Sequence, residues 1–255
     1  MKRTVFKAIA AIIVLTSPMA ADAQRRVEGE VKADIVSHYM WRGQDRGGFT
    51  VLPAMSASWQ GISLGVVGST GFSSDDEKEI DVTLGFERWG FNIGVTDYWE
   101  TGVDEKNRYI FFKEDECAHQ LEGNIGYSCK YFSLQAYTLF WGRDNKWNGE
   151  RAYSTYIELG VPFSLGGVDW NLRGGFTPFE SAGTRTPRQE DGYYYSGKYD
   201  YDFYYAEGFA CIEAALRATK TLDIGFSKMP VFAELNVNPY LQTAQFVFGV
   251  TIQPF

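Results

Sequence analysis

From Ile80 to Trp99 the chain reads Ile-Asp-Val-Thr-Leu-Gly-Phe-Glu-Arg-Trp-Gly-Phe-Asn-Ile-Gly-Val-Thr-Asp-Tyr-Trp. Apolar and polar residues alternate through both halves, and Trp89-Gly90 leaves no room for a loop between them. Successive side chains of a strand face opposite ways, so this is a hairpin with one oily face and one polar face. The same pattern recurs through most of the 255 residues. A sheet of that length must cover its oily side or close on itself in lipid. An all-β, transmembrane, antiparallel up-and-down β-barrel meets both the alternation and the demand that every backbone group be paired.

Counting by parity gives about twelve strands, near 27–35, 49–59, 62–72, 79–88, 91–99, 120–127, 132–140, 153–161, 168–176, 206–217, 222–237 and 245–252. Single-chain bacterial barrels use an even number, and ~10 residues tilted by ~40° span a ~25 Å apolar band. In the tenth segment Ala206, Ala210, Ile212 and Leu216 take the oily face against Glu207, Glu213 and Arg217. In the eleventh, oily parity switches from Leu222, Ile224 and Phe226 to Val231, Ala233 and Leu235, which predicts a bulge around Pro230.

Connections alternate in length. Gln60-Gly61, Trp89-Gly90, 128–130, 163–167 and 218–221 are short, while 39–48, 73–78, 101–118, 142–149, 178–202 and 238–243 are longer. The alternation predicts periplasmic turns and extracellular loops. Trp41, Trp99 and Trp141 then fall at the outer edge and Trp59, Trp89 and Trp170 at the inner edge, forming two interfacial girdles.

Lys2, Arg3 and Lys7, the apolar run 8–15 and the small-x-small site Ala21-Asp22-Ala23 predict a cleaved signal peptide over 1–23, with the barrel over 24–255. The leader carries three bases and one acid, so its removal takes the net charge from −8 to −10. That acidity disfavours nucleic acid as a partner. The expected location is the cell outer membrane, and the expected partners are its lipid and lipopolysaccharide together with the barrel-assembly machinery. Cys117 and Cys129 flank one proposed strand and Cys211 lies within another, so no disulfide is expected. No phosphate-binding glycine motif, Cys-x-x-Cys pair or metal-type histidine spacing occurs, so neither cofactor nor metal is expected.

At the end of the first strand, Ser37, Tyr39, Trp41, Arg42 and Gly43 make up a Ser-x-Tyr-x-aromatic-Arg-Gly motif. It resembles the signature of the TorF-like outer-membrane proteins. The 79–99 hairpin and the segment from Met229 to Gly249 are similar to blocks of the same group. The likeness covers roughly 30–100 and 203–252. It implies an outer-membrane barrel and no particular chemistry, since the function of that group is unknown. The chain departs from the group at its end, where Gln253-Pro254-Phe255 follows Ile252.

Parity also assigns the lumen. The acids placed inward are Glu28, Glu30, Asp34, Glu79, Asp81, Glu87, Glu122, Glu158, Asp169, Glu207, Glu213 and Glu234, against the bases Lys32, Arg173 and Arg217. Such an imbalance in a narrow tube favours cations or neutral solutes, provided the lumen is open. A barrel filled by these side chains would pass nothing. Asp97 and Arg151 fall on the lipid face near the outer ends, and His119 shares that face. His38 points inward but lies ~13 Å along the strand from Asp34, too far for a hydrogen bond. The acidic loops 75–77 and 144–149 read as solvated tips. The expected role is therefore a small passive pore or a structural surface protein. The alternatives are a lipid- or envelope-modifying enzyme built into the barrel, and a receptor or adhesion role for loops 101–118 and 178–202, where the Tyr-rich 190–205 stretch could bind sugar rings or a cation.

Overall fold

The computed structural model describes residues 27–72, 78–103, 106–113, 116–190, 193–225 and 227–253, and of 184–190 and 193–203 it describes the backbone alone. The leader 1–23, the acidic tip 75–77, Phe226, Pro254 and Phe255 lie outside the described residues. The described elements are strands: β1 (Glu28–Val36), β2 (Tyr39–Trp41), β3 (Gln44–Gly47), β4 (Thr50–Trp59), β5 (Ile62–Gly71), β6 (Lys78–Arg88), β7 (Phe91–Glu100) and β8 (His119–Ser128). They continue with β9 (Ser133–Trp141), β10 (Thr155–Leu165), β11 (Val168–Thr177), β12 (Gly183–Glu190), β13 (Tyr193–Phe203), β14 (Ala210–Asp223), β15 (Lys228–Asn238) and β16 (Thr243–Ile252).

Twelve of them close an antiparallel barrel in the order β1-β4-β5-β6-β7-β8-β9-β10-β11-β14-β15-β16 and back to β1. The seam is narrow, registered from Ala33 opposite Ile252 to Val36 opposite Gly249. The remaining strands form two hairpins, β2–β3 and β12–β13, each inserted in a connection at the same end of the barrel.

The alternation reads directly onto the wall. Leu64, Leu84 and Ile93 on neighbouring strands, and Leu134, Leu159 and Leu172 farther round, turn their side chains outward and stay exposed. Gln60-Gly61 and Trp89-Gly90 make tight turns because both residues of each pair adopt positive φ, the geometry a two-residue hairpin requires.

The wall departs from simple parity at two places. Ile212 has no opposite number on β11, where Gly175 faces Glu213 and Phe176 faces Cys211. Phe140 is likewise the extra residue between β8 and β9, where Leu121 faces Trp141 and Glu122 faces Leu139. The first of these bulges turns Ile212 inward, to 1 % exposure, instead of onto the oily face. Around Pro230 there is no bulge. β14 runs on to Asp223, and the Ile224 amide donates to the Ser227 carbonyl just before β15 begins at Lys228. The parity switch is thus the passage from one strand to the next, with Pro230 inside β15 opposite Thr221. The connection 239–242 is as short as the turn 129–132, so the alternation of lengths fails at that last position.

At the long-loop end Tyr109 and Phe112, in the connection between β7 and β8, lie over the outside of the wall. His119 Nδ1 sits 2.9 and 3.0 Å from the two carboxylate oxygens of Asp97, and its Nε2 sits 2.6 Å from the Tyr109 carbonyl. Phe112 stacks on the imidazole at 4.2 Å, and Trp99 packs on Tyr109. His119 is thereby fully buried under its own loop, and Asp97 is partnered rather than facing lipid. Replacing His119 by alanine leaves the Asp97 carboxylate without its donor, at a cost of about 1–3 kcal/mol. The expected result is roughly tenfold faster proteolytic cleavage within 106–113, and unchanged cleavage would show that this pair does not hold the loop.

Candidate functional site

The interior of the barrel is polar at one end and filled at the other. Near the short turns, Glu28, Glu30, Glu87 and Asp169 are exposed to water. Lys32 approaches Glu30 at 3.6 Å, and the Ser164 hydroxyl donates to Asp169 at 2.7 Å. This half is an acidic vestibule of water-exposed side chains.

The other half holds the β2–β3 hairpin. Arg42-Gly43 is its two-residue turn, with φ of 52° and 76°. The same kind of dipeptide closes the wall turns at 60–61 and 89–90. Here, however, the hairpin projects inward. An added Cβ on Gly43 would stand 2.0 Å from the Ile212 carbonyl oxygen, so only glycine lets the tip approach β14 this closely.

Arg42 is the centre of the filled half. Its Nη1 donates to Glu122 Oε2 (2.5 Å) and to the Tyr205 hydroxyl (2.6 Å), and its Nη2 donates to Glu122 Oε1 (2.7 Å). Tyr98 adds a hydroxyl donor to the same carboxylate at 2.9 Å. The guanidinium lies over the rings of Tyr137 at 4.2 Å and Trp41 at 4.4 Å. Burial works against its charge, but Tyr205 and Glu122 outweigh that and hold its proton more tightly than on a free guanidinium. Burial likewise pushes the Tyr205 phenol up, so it stays a neutral hydroxyl.

The hairpin is fastened on all sides. Asn238 Nδ2 donates to the Gly43 carbonyl at 3.2 Å, and Gln245 Nε2 to Asp45 at 3.0 Å. Gln44 donates to the Tyr204 carbonyl. Arg46 reaches Glu100 at 3.4 Å and Glu79 at 4.0 Å.

Next to it runs a second ion network. Arg173 Nη2 donates to Glu213 at 2.8 Å and to Glu234 at 2.9 Å, with Glu158 3.7 Å from its Nε. Arg217 Nε donates to Glu234 at 2.8 Å, and Asn236 Nδ2 to Glu213 at 2.8 Å. Tyr156 also donates to Glu213. Between this network and the apolar patch of Val36, Leu52, Phe232 and Val247 lies a cavity of about 320 Å³, bordered by Trp41 and Arg42.

The residues assigned from parity are thus distributed unevenly. Arg173, Arg217, Glu158, Glu213 and Glu234 come together in one network, and Glu122 joins Arg42 instead. Asp34 accepts from the Thr251 hydroxyl at 2.6 Å beside the seam. Asp81 is inward next to Glu79 on β6, facing Tyr98 across the pair. Glu207 lies outside the barrel strands, exposed in the connection before β14, and its amide donates to the Tyr240 hydroxyl.

Of the motif residues, Ser37 stays at the seam, where its hydroxyl accepts from the Phe248 amide at 3.0 Å. Tyr39 packs on the apolar patch. Trp41 does not stand in a girdle. It is turned inward by the hairpin and packs on Tyr98, Tyr204 and Tyr205. Trp99 is on the outer face but only 8 % exposed, covered by the Tyr109 loop. Trp59, Trp89 and Trp170 do lie at the short-turn ends, and Trp141 at the other end of β9. Asp144 is not a solvated tip but buried, its carboxylate accepting from the Ser154 amide at 3.1 Å. Most of the Tyr-rich stretch is β13, which pairs with β12, and its side chains over 190–203 lie outside the described residues.

Tyr98 and Tyr156 follow the inward parity of β7 and β10, but Arg42, Arg46 and Tyr205 escape a parity count because they lie in the inserted hairpin and in the connection before β14, which have no such periodic signature. One signal was present: Arg42-Gly43 is the same dipeptide type as the wall turns.

No protein-family model and no curated relative matches the chain. A solved structure from a study of the in-meso crystallization of membrane proteins is similar, at 10% identity over 88% of this chain and 82% of that one, with a TM-score of 0.42.

Proposed function

We propose that this chain spans the bacterial outer membrane as a small pore whose passage is closed at the long-loop end by its own hairpin. The observation that carries this reading is the β2–β3 hairpin itself, pinned inside the barrel by Arg42 on Glu122 and Tyr205. An apolar surface that runs right round the wall, with the charged groups turned inward, supports a lipid setting. The resemblance to the TorF-like group through Trp41, Arg42 and Gly43 supports the outer-membrane setting. In this reading outer-membrane lipid and lipopolysaccharide surround the wall, the assembly machinery inserts it, and the long loops face outward.

A passive role is favoured over a barrel-embedded enzyme by the placement of the two histidines. His119 lies outside the lumen against Asp97, and the buried Nδ1 of His38 has no hydrogen-bond partner among the described residues. Neither is joined to a hydroxyl nucleophile there.

The vestibule sets the selectivity. Its exposed carboxylates raise the local concentration of cations and repel anions. In planar bilayers under a potassium chloride gradient, the protein is expected to show brief, small openings with a reversal potential on the cation side. A reversal potential on the chloride side would contradict the reading, as would complete absence of conductance under every voltage tested.

A further inference from the structure

The cavity beside the plug has the wrong charge balance for an empty space. Four carboxylates border it, on Asp34, Glu158, Glu213 and Glu234. Arg42 also borders it but is engaged by Glu122, which leaves Arg173 and Arg217 as the guanidiniums facing them, with the His38 ring on the same lining. Those two guanidiniums lie closest to Glu213 and Glu234, at 2.8 to 2.9 Å. Four carboxylates less two guanidiniums leaves two negative charges, and geometry assigns them to Glu158 and Asp34. Glu158 stands 3.7 Å from a guanidinium already shared by two closer carboxylates, and its other contact is a neutral hydroxyl, that of Tyr156 at 3.2 Å. Asp34 has a neutral hydroxyl for its partner.

These two carboxylates stand far apart. Asp34 is on β1 and Glu158 on β10, nearly opposite in the closed order of strands. The patch of Val36, Leu52, Phe232 and Val247 forms an apolar wall of the cavity, and the Trp41 and Tyr137 rings border it too. A solute that meets all of this carries a positive head at each end and an apolar stem between. Water hydrates both carboxylates but gains nothing from the apolar wall, whereas such a solute satisfies both.

We propose that the cavity is a binding site for a small organic cation of the aliphatic diamine class, one ammonium on Glu158 and the other on Asp34, with the methylene stem along the apolar wall. This deepens the pore reading, naming the solute class that the acidic vestibule would gather. Ammonium groups suit the site because each forms charge-assisted hydrogen bonds with a carboxylate, and the aromatic rings favour a nearby cation.

The test is equilibrium titration calorimetry on the full chain in detergent micelles, with 1,5-diaminopentane as the probe. Pentanedioate, 1,5-pentanediol and pentylamine serve as the dianionic, neutral and single-headed comparisons. The diamine is expected to bind saturably, pentylamine about tenfold more weakly, and the diol and diacid not at all. Glu158→Gln and Asp34→Asn should each weaken the diamine about tenfold while leaving pentylamine affected by one of the two alone. Folding of each variant is checked by its heat-dependent shift on gels. Absence of saturable diamine binding to the folded wild-type chain would overturn the site. So would diol or diacid binding as tight as the diamine, or folded variants that bind the diamine unchanged. Binding is read without conduction, so a chain that binds diamine but passes no current loses only the pore reading. One that conducts but ignores diamine loses only this site.

Discussion

Arg42→Ala is expected to convert brief, small openings into a sustained conductance several-fold larger. Arg42 and Glu122 are 8 % and 2 % exposed at the side chain, so their ion pair is buried. Removing one member of such a pair leaves the other desolvated and uncompensated, which costs about 3–5 kcal/mol. The β2–β3 hairpin is also held by the packing of Trp41 on Tyr98, Tyr204 and Tyr205 and of Tyr39 on the apolar patch, but these contacts do not compensate a stranded carboxylate. Its strands are short, and its other polar contacts include single hydrogen bonds through Asn238, Gln245 and Gln44 and a longer ion pair from Arg46. Glu122 would then regain water by expelling the hairpin, and the lumen would open. Arg42→Lys should fall between, because an ammonium cannot make the two-pronged contact with Glu122 and the flat contact with Trp41 and Tyr137. Planar-bilayer recordings of the three proteins check this. Equal conductance in all three would mean that Arg42 does not hold the passage shut.

Arg173→Met is expected to lower the stability of the barrel itself, by about 3–5 kcal/mol. Arg173 bridges β11 to Glu213 on β14 and to Glu234 on β15, carboxylates only 1 % and 3 % exposed. Arg217 can still serve Glu234, but Glu213 keeps only neutral donors, from Asn236 and Tyr156. Glu213→Gln in the same chain removes the stranded charge and should restore much of the loss. Urea unfolding in detergent micelles, followed by heat-dependent gel mobility, measures both. An Arg173→Met chain as stable as the parent, or a double variant no better than the single, would show that the network does not brace the wall.

The barrel was legible in the amino-acid order because a lipid-type wall writes itself as alternation. Leu84 between Thr83 and Gly85 needs no partner to be read as outward. The interior was less legible for definite reasons. Ile212 obeys the parity of its neighbours until an extra residue in β14 turns it inward, and nothing local announces that bulge. Trp41 falls at a strand end, where tryptophan is usual, but the tight Arg42-Gly43 turn sends it into the lumen. Glu207 shares the spacing of Glu213, yet β14 begins only at Ala210. Asp97 and His119 look misplaced on an oily face until the loop at Tyr109 covers them. In each case the missing information is a contact between residues far apart in the chain.

The central claim is that lipid covers the apolar outside of this closed wall. Leu84, 58 % exposed and flanked by Leu64 and Val95 on the adjoining strands, stands in the middle of that surface. A nitroxide placed there, in a chain relieved of its three cysteines and folded into lipid vesicles, reports its surroundings by collision. Frequent encounters with dissolved oxygen and rare ones with a water-soluble nickel chelate are the expected result. A nitroxide that the chelate reaches freely would place the wall in water and contradict the account.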